Sequence, residues 1–129
     1  MQDRPTAAEL LAAVAVFLAE DVLPNVPPEQ RFGVRVAANA CAICAREAEA
    51  GPAAEAAEGE RMRALLALAG GPEPPDGTPV RELQGAVARA IRGGALDAAL
   101  LEARDVLRES VAAKLAIAHP GYDTWREPA

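Results

Sequence analysis

Aromatic side chains make up only 3% of this 129-residue chain: two Phe, one Tyr and one Trp. Its hydrophobic core must therefore come from Leu, Val and Ile with the two Phe. Histidine and serine occur once each, as His119 and Ser110. Ser–His hydrolase chemistry has almost no raw material, and a structural zinc site lacks its four ligands. Positive charge is scarce too: 13 Lys and Arg face 19 Asp and Glu, for a net charge of −6. That disfavours nucleic acid, which needs a basic patch, and an anionic membrane surface. No apolar run reaches the roughly 20 residues of a spanning helix. Asp3, Arg4 and Glu9 break up the start, so no signal peptide is expected. Two cysteines without an export signal fit a reducing cytoplasm. There is no glycine-rich phosphate loop, no G-x-S-x-G and no framed carboxylate pair. No catalytic residue, metal or cofactor is expected.

What the chain does have is alanine, about 32 of them. Alanine is the best helix former because it loses no rotamer freedom on folding. It also buries little area, so helices must approach closely where Ala faces Ala. Apolar residues total 51%, which argues against disorder. The length suits one domain, which buries roughly two-thirds of its unfolded surface without needing a staple. The expected architecture is all-α: a single compact bundle of about five helices, mainly antiparallel, over 1–129. Residues 70–78 would form a surface loop and 120–129 a tail.

Thr6-Ala-Ala-Glu9 has the form of a capping box and opens the first helix. Leu10, Leu11, Val14, Phe17 and Leu18 recur at helical spacing until Pro24 stops the run. The second helix runs from about Glu29 to Ala50, and from Phe32 on it is apolar almost all round, apart from a stripe of Arg35, Asn39, Arg46 and Glu49. A helix apolar on most sides is normally surrounded by others, so this one is expected to be the central, most buried strut. Gly51 should end it in a left-handed conformation, with Pro52 in the next first turn. The third helix grips through Met62, Leu65, Leu66 and Ala69, and Gly59 weakens its middle. Thr78-Pro79 should cap and start the fourth, whose face is Val80, Leu83, Val87 and Ile91, and Gly93-Gly94 ends it. Asp97 should cap the last, with Leu100, Leu107, Val111 and Leu115 as its face, until His119-Pro120-Gly121.

Five features are candidates for chemistry or for contact with a partner, and each also has a packing role. Cys41 and Cys44 form a C-x-x-C, but mid-helix, away from the helix start that depresses a thiol pKa. They fall on an apolar side with Val34 and Ala37 and are expected in the core. Arg35, Asn39 and Arg46 project to one side. Two guanidinium groups beside an amide can grip a phosphate or carboxylate. The simpler reading, which we prefer, pairs the arginines with Glu20, Asp21, Glu102 or Asp105 and satisfies Asn39 from the backbone. Lys114 can lay its stem on the core with its ammonium in water. His119 suits a helix C-terminus. Tyr122 and Trp125 lie beyond the last helix, and either fold back over the bundle end or contact a partner.

Three stretches look familiar together: Arg4-Pro5-Thr6 with Glu9-Leu10-Leu11, Arg35-Val36-Ala37-Ala38-Asn39-Ala40 with Arg46-Glu47, and Lys114-Leu115-Ala116-Ile117 leading to Pro120 and Tyr122. The set resembles a small, uncharacterised bacterial helical family, a domain of unknown function. Its members stand beside or are fused to acyl-CoA dehydrogenase-like and phosphotransferase-like small-molecule kinase proteins. The resemblance implies an accessory module near such chemistry, with no catalytic residues to carry over. Two functions follow as expectations. The first is a non-enzymatic interaction module whose partner is such a neighbour or a second copy. The second is a binder of acyl-CoA or a phosphorylated metabolite through Arg35, Asn39 and Arg46.

Overall fold

The Thr6 capping box forms as its spacing demands. The Glu9 amide donates to Thr6 Oγ1 and the Thr6 amide to Glu9 Oε2, both at 3.2 Å, opening helix α1 (Ala7–Phe17). These are features of a computed structural model that describes residues 3–122. Among the described residues, 79% are helical and there is no strand, so the chain is all-α. The described residues form four α-helices: α1, α2 (Pro28–Leu68), α3 (Val80–Arg92) and α4 (Leu100–Ala118). The expected second and third helices are the two arms of α2, which meet at a kink where Gly51 leaves helical backbone, with φ 61° and ψ −161°. That conformation is accessible essentially to glycine alone. The break separates an N-terminal arm (28–50) from a C-terminal arm (52–68).

The chain organises into two units, divided at this break and not at the 70–78 loop. One comprises 1–51 with 117–119. After α1 the backbone widens into a π-turn (Leu18–Val22), tightens into a 3-10 turn (Leu23–Asn25) around Pro24, and re-enters helix at Pro28. Asn25 Nδ2 holds the turn by donating to the Asp21 carbonyl at 2.8 Å. The buried residues of this unit are Ala15, Ala38 and Ala45.

The N-terminal arm of α2 is therefore not the buried strut that its apolar wheel suggested. Phe32 is 77% exposed and Val36 51%. Cys41 is half-buried and Cys44 exposed, so neither thiol is a core residue. The physical reason is alanine. It fills the helical wheel with apolar character yet gives neighbours too little area to wrap.

The second unit comprises 52–116 and 120–129, described here to Tyr122. It contains the hydrophobic core. Met62 and Leu65 of the C-terminal arm, Leu83 and Val87 of α3, Leu96, and Ala103 of α4 are buried together, with Leu65 at 0% exposure. Leu66, Ala69, Val106 and Leu107 pack around them. α3 ends as expected at the glycine pair: the Ala95 amide donates to the Ala90 carbonyl and the Gly94 amide to that of Ile91, with Gly94 at φ 81°. These two bonds satisfy carbonyls that a helix end leaves free. α3 does not begin as expected. Thr78 is no cap: its hydroxyl donates to the Pro75 carbonyl at 2.6 Å, and Pro79 precedes the helix without a side-chain cap. Arg63 fastens the 70–78 loop by donating to the Pro74 and Pro75 carbonyls at 2.8 Å each.

Candidate functional site

The buried polar centre of the second unit is Glu58, at the first buried turn of the C-terminal arm. Gly59, next to it, lies against α3: a Cβ there would touch Val80 Cγ2 at 3.4 Å, an ordinary contact. Three elements then converge on the Glu58 carboxylate. The Ser110 hydroxyl of α4 lies 2.6 and 2.9 Å from its two oxygens. Arg61, one turn on, donates Nε and Nη2 to Oε2 at 3.1 and 2.9 Å. Gln84 Nε2 of α3 donates at 3.3 Å, and Lys114 Nζ of α4 stands 3.7 Å away. Burial pushes the Glu58 carboxyl up, but the bonds from Ser110, Arg61 and Gln84 and the charge of Lys114 outweigh it. The net effect holds the group below its ordinary range.

This geometry decides what Ser110 can do. Its proton is already given to an ionised carboxylate whose depressed pKa makes it a weak base. Both side chains are buried. The arrangement is a fastener joining the C-terminal arm, α3 and α4. Sequence reasoning missed it, although a signal was present. The only serine sits mid-helix in α4, one turn before the only lysine, and such residues rarely occupy helix interiors without a partner.

The fastener also explains why α4 presents a different face from the expected one. Ala103 and Ser110 are buried, while Leu100 and Val111 are exposed and Leu107 and Leu115 half-buried. Turning Ser110 inward rotates the larger apolar stripe outward. There, with Ile91 and Leu96, it lines a groove of about 420 Å³, bordered by Arg104 and Arg108 one turn apart and by Asp97. The size and apolar lining fall within the range of ligand and peptide sites.

The stripe on α2 is split. Arg35 and Asn39 are exposed and line a shallow depression with Ala15, Glu20 and Leu23. Arg46 is half-buried and lines a different one with Glu9 and Glu49. Arg46 Nε donates to the Ile117 carbonyl at 2.6 Å. Among the described residues, neither Arg35 nor Arg46 pairs with Glu20, Asp21, Glu102 or Asp105. Lys114 keeps its ammonium largely in water, as a snorkelling lysine does, while facing Glu58. Tyr122 is exposed and keeps an interaction within the chain, as does His119. Trp125 lies outside the described residues. Among the described residues no three of His, Cys, Asp or Glu gather as metal ligands, and no helix is long and apolar enough to cross a membrane.

Residues 24–122 match the model of a family described as a domain of unknown function (DUF6285). The match includes α2, α3 and α4 and leaves α1 outside. No curated protein and no solved structure matches the chain.

Proposed function

Since the chain belongs to the DUF6285 family of domains of unknown function, we propose that it is a non-enzymatic accessory module that docks onto a protein. The supporting observation is the α3–α4 groove, with exposed Leu100 and Val111 beside Arg104 and Arg108. Its apolar positions recur with helical spacing, and the arginines add positive charge to an otherwise acidic chain. The occupant that fits is an amphipathic helix with an acidic flank, bound by its i, i+4 and i+7 anchors. The resemblance points to an acyl-CoA dehydrogenase-like or small-molecule kinase-like neighbour in a bacterial cytoplasm as its bearer. The test is calorimetric titration of the chain with each purified neighbour. A one-to-one complex weakened at least about tenfold by Val111→Asp is expected, in line with the cost of disrupting a central contact. Absence of binding by every neighbour ends this reading.

A second reading keeps an anion site on Arg35 and Asn39. It is favoured by their exposure in one depression and by the absence of internal acid partners among the described residues. Arg46, engaged with Ile117, contributes less than the stripe suggested, and Glu20 opposes an anion. A thermal-shift series with acyl-CoA and inorganic phosphate tests it. Ligand at 100 times its dissociation constant adds about 2.7 kcal/mol, and Arg35→Ala should abolish the shift.

A further inference from the structure

α1 is built inside out. Its one buried residue is Ala15, whereas Leu10, Val14 and Phe17 are exposed at 53%, 45% and 55%. These three stand at i, i+4 and i+7, so they form one outward row along the helix. Glu20 and Asp21 follow Phe17 by three and four residues in the π-turn, and neither makes a salt bridge among the described residues. The result is an amphipathic helix with three apolar anchors and an acidic end. It is the chemistry that the α3–α4 groove accepts: apolar along its length, with Arg104 and Arg108 on its border and Asp97 as its one acid. The helix is also short enough to lie within the groove. The 11 residues of α1 span about 16 Å, and the lining from Leu100 to Leu115 runs about 22 Å at 1.5 Å per residue.

We infer that the groove takes α1 of a second copy of this chain, so that the protein self-associates by helix-in-groove docking. This rests on the groove being a protein-docking surface and adds which helix fills it. Leu10, Val14 and Phe17 seat along Leu100, Leu107 and Val111, and the Glu20–Asp21 end brings negative charge to the side of the groove that Arg104 borders. The contact is heterologous, joining two different patches, so it is satisfied by reciprocal exchange in a dimer or propagates along a chain of copies. The same docking regulates access: a partner's acidic helix must displace α1 to enter the groove.

Complementation in the full-length protein provides the test. Sedimentation equilibrium over micromolar to near-millimolar concentrations should show the wild type exceeding one chain's mass. Phe17→Lys breaks the helix side and leaves the groove intact. Val111→Glu breaks the groove side and leaves α1 intact. Both sites are exposed, so unchanged circular dichroism and unfolding midpoint confirm folding. Each variant alone should be a monomer, and their mixture should regain a one-to-one complex. The wild type remaining monomeric would overturn the inference. So would self-association that survives either substitution, or a mixture that stays monomeric. Failure here is distinguishable from failure of the docking-module reading. A monomeric wild type that still binds a neighbour in a Val111-dependent manner sinks only self-docking. Self-association that obeys the complementation pattern, with every neighbour ignored, sinks the neighbour and keeps the groove.

Discussion

Glu58 shows what a single buried charge requires in a chain this poor in polar core residues. Three hydrogen-bond donors and the charge of Lys114 surround it, so its ionised form is favoured in the folded state despite burial. A carboxyl whose folded pKa lies below its unfolded value of 4.5 stabilises the fold at pH above that value, and the contribution disappears as pH falls through the folded pKa. Unfolding midpoints should therefore hold steady down to about pH 5 and drop below it, and Glu58→Gln should flatten that acid limb. A Gln variant with the same acid limb as wild type would assign the pH dependence to other groups. Ser110→Ala removes the shortest donor and should cost about 1 to 2 kcal/mol in urea unfolding. The sequence offered only the mid-helix Ser110 beside Lys114 as a hint of this centre, and nothing that named Glu58 as what they meet. The wheel of one helix says nothing about Gln84 and Ser110, 26 and 52 residues from Glu58. Arg46 was misplaced for the same reason. Its partner is a backbone carbonyl, which carries no residue-type signal.

Elements were more legible than residues where the signal was local. The Thr6–Glu9 box and the Gly93–Gly94 stop depend on contacts within a few positions, and both formed as read. Thr78 failed because two features competed for it: the nearby Pro75 carbonyl captured its hydroxyl. Gly51 was largely legible: the stop at a positive φ and the restart at Pro52 were expected, and only ψ −161°, extended where a left-handed helical value was expected, was not. Gly51→Ala places a Cβ in a region L-residues avoid and should cost about 1 to 3 kcal/mol in urea unfolding. Gly59 should behave oppositely. Its backbone has no positive φ, and an added methyl would only touch Val80, so Gly59→Ala should gain about 0.5 to 1 kcal/mol from helix propensity. Gly59→Leu, which must displace Val80, should be destabilising. If Ala destabilises as well, the approach of α3 is tighter than that contact indicates.

At the scale of the whole molecule the informative quantity is where large side chains are buried. All-α class was readable from alanine content and helical periodicity, but the location of the core was not. Periodicity counts apolar positions without weighing their area, and the 28–50 arm scored on alanine. Burial free energy scales with area at about 25 cal/mol per Å², so Ala15, Ala38 and Ala45 contribute far less than Met62, Leu65, Leu83 and Val87. The two units should accordingly differ in local stability. Amides of 62–66 and 83–87 are expected to exchange with solvent slowest, near the global unfolding limit, and those of α1 and 28–50 markedly faster. Leu65→Ala, at the fully buried centre, should cost about 3 to 5 kcal/mol and raise exchange throughout 52–116. The alanine-packed unit should respond instead to whatever covers its outward row. If α1 docks as inferred, its amides should gain protection as protein concentration rises, while those around Leu65 stay unchanged. Equal, concentration-independent protection in both units would mean that alanine packing alone suffices to hold the first.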